Sequence, residues 1–446
     1  MIKEIFNPKT VAVIGATERA DSVGRGIVKN LQEGDIDLFY INPSAESIFG
    51  EVAYQKITDV KEDIDLAIIA IPKMHVSGVV DDCIEADVGA VIIVSAGFGE
   101  TGEEGKKRQD EIAKKLKKAD IPLVGPNCLG ILRPPSNLNA SFAPGTPKRG
   151  GICLISQSGA LIDSIIDGAK AENYGFSLII SVGNAAGLSL VDYIKIADED
   201  PKTRVISLYI EGVEDGRKLF NCLKEVTTPV VAIKGGKTEK SKKAISSHTG
   251  SLAGRYKIFS AALKQAGAFE VSSLEELFDV SKALTWQPAA GNRVGVITNG
   301  GGAGVLITDS LYKVGLELAE LNQTTIDKIE PDMHPDYSRS NPLDVVGDAL
   351  PERYRIAADE FLNQDNLDVL VVILTLQIMT DPLKTAKKIV ELNNKYEKPI
   401  LTVFMGSGKK TRKAVDYLES KNIPNYPDPR RVGLPIKALN YKNKIN

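Results

Sequence analysis

Gly151-Ile152-Cys153-Leu154-Ile155-Ser156-Gln157-Ser158-Gly159-Ala160-Leu161 decides the fold, because its shape returns at Val294-Gly295-Val296-Ile297-Thr298-Asn299-Gly300-Gly301-Gly302-Ala303-Gly304. Each copy is a short apolar run, a turn of small residues and the start of a helical stretch; Gly159-Ala160 matches Gly302-Ala303. Apolar runs this short and this continuous suit strands buried on both faces, which is the condition of a parallel sheet covered by helices. The chain therefore reads as α/β.

Working outward, the second copy of this α/β grammar carries strands at Ile152–Ser156, Ser177–Val182, Val205–Ile210 and Val230–Lys234. A break at Gln287-Pro288-Ala289-Ala290-Gly291-Asn292 precedes a third series, with strands at Arg293–Thr298, Val369–Leu374 and Ile400–Phe404. Toward the N-terminus, Thr10–Ile14, Asp37–Ile41, Leu66–Ile71, Ala90–Val94 and Pro122–Val124 alternate with helical stretches in a Rossmann-like series. The Pro- and Gly-rich stretch from Arg133-Pro134-Pro135 to Gly150-Gly151 closes that series. Three domains follow, 1–145, 146–287 and 288–446.

A chain of 446 residues is long enough for that division. Its formal charge of −3 comes from interspersed signs and leaves neither a basic stripe for nucleic acid nor a polybasic membrane patch. The longest apolar run, Val369 to Leu376, is far short of a bilayer span, and the N-terminus lacks signal-peptide grammar, so a cytoplasmic location is expected. Cys83, Cys128, Cys153 and Cys222 form no Cys-x-x-Cys pair and have no histidine at ligand spacing; they read as buried small hydrophobes, and no metal site is expected.

A helix N-terminus offers unpaired backbone N–H groups and partial positive charge, and small residues let a phosphate oxygen reach them. Ser158, Gly159 and Ala160 form one such candidate cradle; Gly301, Gly302 and Ala303 form another. Facing each other, the two could hold one phosphate. The alternative is that these glycines serve only tight turns and close packing. Two other motifs fail. Gly235-Gly236-Lys237-Thr238 resembles the end of a P-loop, but its first glycine would fall on Val231, inside a strand. Gly15-Ala16-Thr17 is followed by Gly24 and Gly26 too late for a dinucleotide fingerprint, with no acid placed for an adenine ribose. The strand ends Asn42-Pro43, Ile71-Pro72-Lys73 and Ser95-Ala96-Gly97-Phe98 could still converge on a nucleotide-like ligand.

Of the three histidines, His75 follows a strand end and His334 sits in a Pro-bracketed loop. His248 lies in Ser246-Ser247-His248-Thr249-Gly250-Ser251-Leu252-Ala253-Gly254, a run with no apolar face to bury. Near neutral pH an imidazole is partly unprotonated and can accept a phosphoryl group, provided an acceptor orients its other nitrogen. Glu211, following the strand Val205–Ile210, is the candidate; Glu214 and Asp215 are rivals.

These residues resemble a known family, the NDP-forming acyl-CoA synthetases, which include succinyl-CoA synthetase and the archaeal ADP-forming acetate–CoA ligases. The carrying motifs are Gly125-Pro126-Asn127-Cys128-Leu129-Gly130, Ser156-Gln157-Ser158-Gly159-Ala160, Ser247-His248-Thr249-Gly250-Ser251 and Asn341-Pro342-Leu343-Asp344. The resemblance implies a Rossmann-like CoA-binding domain followed by two flavodoxin-like domains. It implies the reaction of acyl-CoA, phosphate and ADP to acid, ATP and CoA through an acyl phosphate and a phosphohistidine at His248. Acetate is the default small organic acid. It also implies that Gly15, Ala16, Thr17, Arg25, Pro43, Pro72, Lys73, Ser95, Gly97 and Asn127 lie near CoA.

Family members need an ATP-grasp module, which this sequence does not supply. The expectation is therefore a separate β subunit, in an α2β2 heterotetramer, holding most of the ADP or ATP and its Mg²⁺. Gln157, Ala160 and Leu129 depart from the succinate enzymes and weigh against succinate. The alternatives are a CoA-responsive regulatory chain and an enzyme using FMN or NAD.

Overall fold

The computed structural model describes residues 4–241, 243 and 255–442 and divides into two compact units, Met1–Val271 and Ser272–Asn446. The first unit holds two seven-stranded sheets and the second a five-stranded sheet.

In the first sheet, β1 (Thr10–Ile14), β2 (Asp37–Ile41), β4 (Glu51–Tyr54), β5 (Leu66–Ile69), β6 (Val91–Ile93) and β7 (Leu123–Val124) are parallel, and β3 (Ser47–Ile48) pairs antiparallel with β4. Its spatial order, β3-β4-β2-β1-β5-β6-β7, is the Rossmann order for the parallel members. The topological switch point falls between β1 and β5, where ligands of such sheets bind. Full burial of β5 and β6 explains their unbroken Leu, Ala, Ile and Val runs.

The second sheet has the order β14-β13-β12-β10-β11-β8-β9. Its parallel strands, β10 (Arg149–Ser156), β11 (Phe176–Ser181), β12 (Val205–Ile210), β13 (Val230–Lys234) and β14 (Phe269–Val271), follow the flavodoxin-like order, with the switch point between β10 and β12. The antiparallel hairpin β8 (Gly130–Arg133) and β9 (Leu138–Ser141) joins the edge of this sheet through β11, although it lies before residue 146, in the part of the chain expected to belong to the first domain. Asn30, on the helix Val23–Leu31, donates to the carbonyls of Ser141 (2.8 Å) and Ala143 (2.9 Å), tying the hairpin to the first sheet. One apolar cluster runs from Ile5 to Ala268 through both sheets, so the two layers of the first unit share a core.

The second unit has the order β16-β15-β18-β19, from β15 (Arg293–Thr298), β16 (Glu317–Leu318), β18 (Val369–Thr375) and β19 (Ile400–Met405). β17 (Leu343–Asp344) pairs with the far end of β15. The helix Leu274–Trp286 precedes the Gln287–Asn292 break yet packs within this unit. Its Lys282 pairs with Glu419 at 2.9 Å, and its Asp279 accepts two bonds from Arg431 at 2.7 Å. Gln287 itself is buried, accepting from the Ile400 N–H and donating to the Asn422 carbonyl.

Candidate active site

The ten residues that the resemblance places near CoA stand at the carboxyl end of the first sheet, on the turns leaving it or, for Arg25 and Lys73, in the first turn of the helices that follow. Gly15 has φ +94°, and a Cβ there would lie 2.4 Å from the Ala70 carbonyl oxygen, so the turn after β1 needs glycine. Ala16 accepts from the Asn42 carboxamide at 2.8 Å, beside Pro43. Arg25, in the first turn of the helix Val23–Leu31, donates to the Glu18 carbonyl and stacks over Phe49. Pro72 caps the helix Lys73–Glu85, and the aliphatic stem of Lys73 crosses Gly97, leaving no room for a Cβ. Ser95 donates to the Ile71 carbonyl at 2.6 Å and accepts the Asn127 N–H on its own carbonyl at 3.0 Å. The strand ends β1, β2, β5, β6 and β7 are thus linked edge to edge into one crevice rim.

Four residues that the sequence reading did not single out complete this rim. Glu100 accepts the backbone N–H of Gly97 at 2.5 Å and the Asn184 amide at 2.6 Å. Asn184 also donates to Gln109 and accepts from Asn127 at 3.2 Å. It comes from the turn after β11, so the second sheet reaches into the crevice of the first. Burial alone would raise the Glu100 carboxyl, but the bonds from Asn184 and from the Gly97 and Phe98 backbone hold it below the usual glutamate range. Arg108 holds the Gly97 carbonyl at 2.9 Å. All four cysteines are buried; Cys128, beside the rim, is pushed up to about 12 by burial, which makes it a poor nucleophile.

At the switch point of the second sheet, the Ser156 hydroxyl donates to the Ser158 carbonyl (2.8 Å) and accepts the Ser158 N–H (3.0 Å). That lock presents Ser158 as the cap of the helix Gly159–Ala171, with no side-chain cap bond and no acid in the first turn. Ala160 is exposed and Gly159 half-buried, so the turn faces solvent. The third sheet repeats the device: Thr298 bonds the Gly300 carbonyl (3.0 Å) and N–H (3.1 Å) ahead of the helix Gly301–Lys313. The hydroxyl locks align Gly159 with Gly301, one residue from the sequence match with Gly302. At this second turn the Asp344 carboxylate lies 3.4 Å from where a Gly301 Cβ would stand.

Glu211, half-buried, leaves the end of β12 beside the first turn. The Gln157 side-chain oxygen accepts the N–H groups of Glu211 (2.5 Å) and Gly212 (3.1 Å), while its amide donates to the Gly212 carbonyl (2.8 Å). From the other side Lys234, 1% exposed, donates to the carbonyls of Glu211 (2.7 Å) and Gly235 (2.5 Å). The Tyr209 phenol is pushed up to about 12 by burial, then by the charge of Glu211 and its hydrogen bond to that carboxylate. Of the rivals, Asp215 is spent capping the helix Gly216–Glu225, accepting from Arg217 and Lys218, and Glu214 is exposed. His248 lies outside the described residues. Among the described residues no helix is long and apolar enough to cross a membrane, and no His, Cys, Asp and Glu cluster could hold a metal ion.

Comparison with known proteins matches this layout. A CoA binding domain model matches residues 9–134, a succinyl-CoA ligase like flavodoxin domain 149–284 and a ligase-CoA domain 294–445. The flavodoxin-domain match runs to 284, whereas packing assigns the helix Leu274–Trp286 to the second unit. The chain belongs to the family of ADP-forming acid–CoA ligases. Within it, the chain is 39% identical to the acetate–CoA ligase [ADP-forming] II subunit alpha of Pyrococcus furiosus, over 98% of this chain and 97% of that one. The 4-hydroxybutyrate–CoA ligase [ADP-forming] of Nitrosopumilus maritimus is 36% identical over 95% of this chain, which spans 61% of that longer protein. A solved structure of the dinucleotide forming acetyl-coenzyme A synthetase 1 of Ca. Korarchaeum cryptofilum, in complex with phosphate and ADP, superposes with a TM-score of 0.94 at 35% identity. That superposition covers 100% of this chain and 97% of the other.

Proposed function

We propose that the chain is the α subunit of an ADP-forming acyl-CoA synthetase that makes ATP from acyl-CoA through a phosphohistidine at His248. The carrying observation is the meeting, at the β10/β12 switch point, of a bare helix N-terminus at Ser158–Ala160 with a carboxylate, Glu211, held in place from two sides.

The ten rim residues hold CoA, with the thioester at the end nearest Asn127. Phosphate rests on the N–H groups of Ser158, Gly159 and Ala160; the Gly301, Gly302 and Ala303 turn of the second unit is by itself a candidate donor set of the same kind. A phosphate oxygen attacks the thioester carbonyl, the C–S bond breaks, and CoA leaves as thiol with an acyl phosphate formed. The His248 imidazole then attacks phosphorus and the acid departs as carboxylate. Glu211 accepts from the other ring nitrogen, fixing the tautomer and balancing the charge of the phosphorylated ring. ADP takes the phosphoryl group last. Such transfers depend on positioning and charge stabilisation, which helix N-termini supply.

The nucleotide and its Mg²⁺ are assigned to an ATP-grasp β subunit in an α2β2 heterotetramer, supported by the alpha-subunit name of one relative and the greater length of another. The location is cytoplasmic and the acid is acetate by default, with 4-hydroxybutyrate, named for a relative, a second candidate. Along the sequence the domains are proposed as 1–145 for CoA, 146–287 for the phosphohistidine loop and 288–446 for the second flavodoxin-like sheet, with the β8–β9 hairpin packed on the second sheet and the helix Leu274–Trp286 in the second unit.

The test incubates the chain and its β partner with acetyl-CoA and labelled phosphate. Acid-labile, base-stable label should appear on the protein and vanish in His248→Ala. No label on the unaltered chain overturns the reading. A panel of acyl-CoA thioesters under the same conditions then identifies the acid.

A further inference from the structure

We infer that Gln157 is a positioning residue for phosphoryl transfer, its carboxamide setting the backbone from which Glu211 projects toward the reacting histidine. The inference rests on the reading of Glu211 as the group that orients His248.

Gln157 touches both halves of the machinery. Its backbone N–H bonds the Tyr209 carbonyl at 3.2 Å, and the next residue is the helix cap Ser158. Its side chain reaches across the switch point and uses both ends on Glu211 and Gly212, at 2.5, 3.1 and 2.8 Å. A shift of the phosphate turn is therefore passed to Glu211, and the reverse. The backbone of Glu211 is fixed at two points, its N–H by Gln157 and its carbonyl by Lys234.

The third sheet shows what the same clamp does without a reacting group. Asn299 stands where Gln157 does, one residue after the locking hydroxyl. Its carboxamide accepts the Thr375 N–H (2.7 Å) and donates to the Thr375 carbonyl (2.9 Å). Register makes Thr375 the counterpart of Glu211, since Ser156 pairs with Tyr209 and Thr298 with Ile373, each two residues earlier. There the Thr375 hydroxyl folds back onto the Asn299 carboxamide at 3.0 Å, and the clamp closes on itself. In the second sheet the longer Gln157 takes two consecutive N–H groups, and the side chain at the clamped position is a carboxylate. One repeat therefore closes a sheet edge, and the other aims an acid.

The test compares Gln157→Glu, Gln157→Met, Glu211→Gln and the double variant Gln157→Glu/Glu211→Gln, in the full chain with its β partner. Gln157→Glu keeps the acceptor but turns a second oxygen on the Gly212 carbonyl; Gln157→Met keeps the length and removes all three bonds. A displaced catalytic group costs up to about a hundredfold in rate, so kcat should fall about tenfold to a hundredfold in both, with KM for acyl-CoA held within about twofold. The double variant should be no slower than Glu211→Gln alone, since the two residues act as one unit. Wild-type kcat in both Gln157 variants overturns the inference and leaves the role of Glu211 intact. An undiminished Gln157→Glu penalty in the Glu211→Gln background overturns it too. Wild-type turnover in Glu211→Gln removes Glu211 from the mechanism and the inference with it.

Discussion

The Asn184 amide donates to the Glu100 carboxylate at 2.6 Å, joining the turn after β11 of the second sheet to the crevice rim of the first. The bond is part of a small polar network that also takes in Gln109, Asn127 and the Gly97 N–H. In the proposed reaction the acyl group must pass from this rim to the Ser158–Ala160 turn, so a contact that fixes one sheet against the other fixes the length of that path.

Glu100 makes this contact sensitive to acid. Its folded carboxyl lies below the ordinary glutamate range, so its stabilisation is full above the unfolded value and is lost as pH falls through the depressed one. Thermal unfolding of the unaltered chain should therefore lose ground to Glu100→Gln as pH is lowered through the acidic side of the glutamate range. At neutral pH the unaltered chain should be the more stable of the two. Melting temperatures of both across that range check the prediction; parallel curves would refute it.

Lys282 and Glu419 are 1% and 4% exposed, a buried pair inside the second unit, with the Lys282 ammonium also donating to the Asn425 carbonyl at 2.8 Å. Removing one charge strands the other, at a cost of about 3–5 kcal/mol, whereas replacing both by apolar groups is often neutral. Lys282→Met should lower the melting temperature of the second unit sharply, and Lys282→Met/Glu419→Leu should recover most of it. CoA affinity, which depends on the first unit, should be unchanged in both.

Gly15→Ala should damage the crevice directly. The added Cβ meets the Ala70 carbonyl at 2.4 Å, and φ is +94°. Forcing a side chain into such a conformation costs about 1–3 kcal/mol before any clash is relieved. Calorimetry should show weaker CoA binding together with a lower melting temperature; unchanged CoA binding would take Gly15 out of the crevice.

Much of this architecture is legible in the sequence because buried parallel strands must be apolar throughout. Thr10–Ile14, Asp37–Ile41, Val205–Ile210, Val230–Lys234 and Arg293–Thr298 are strands over the very residues that composition suggests. The β8–β9 hairpin is not legible. Leu138–Ser141 is wholly buried yet half polar, and Asn139 and Ser141 satisfy each other at 2.5 Å instead of showing an apolar period. Strands as short as Ser47–Ile48 or Leu343–Asp344 carry too few residues for any period. The candidate carboxylate was readable because sites in such sheets gather at strand ends. The Gln157 clamp was not, because it joins residues 54 apart and appears only once β10 and β12 are known to be neighbours. A signal for it existed: Gln157 and Asn299 are carboxamides at the same place in two repeats.

Whether Gly159 serves the fold or a ligand can be separated by one methyl group. Its backbone is not in the left-handed region, and an added Cβ would find only ordinary contacts, at 3.5 Å from the Leu129 Cβ and 3.6 Å from the Ser181 hydroxyl. Gly302 has nothing within 4 Å. Packing therefore gives no reason for glycine at either place, and helix propensity favours alanine by up to about 1 kcal/mol. Gly159→Ala and Gly302→Ala should melt at or slightly above the temperature of the unaltered chain. A phosphate held on the first helix turn, however, would meet the new methyl group, since the oxygen must come within hydrogen-bond distance of the N–H of that same residue. Gly159→Ala should raise KM for phosphate at least severalfold while KM for acyl-CoA stays constant, because the CoA rim lies on the other sheet. A stable Gly159→Ala protein with unchanged phosphate dependence would mean that the anion sits elsewhere, and the Ser158–Ala160 turn would revert to ordinary strand-to-helix geometry.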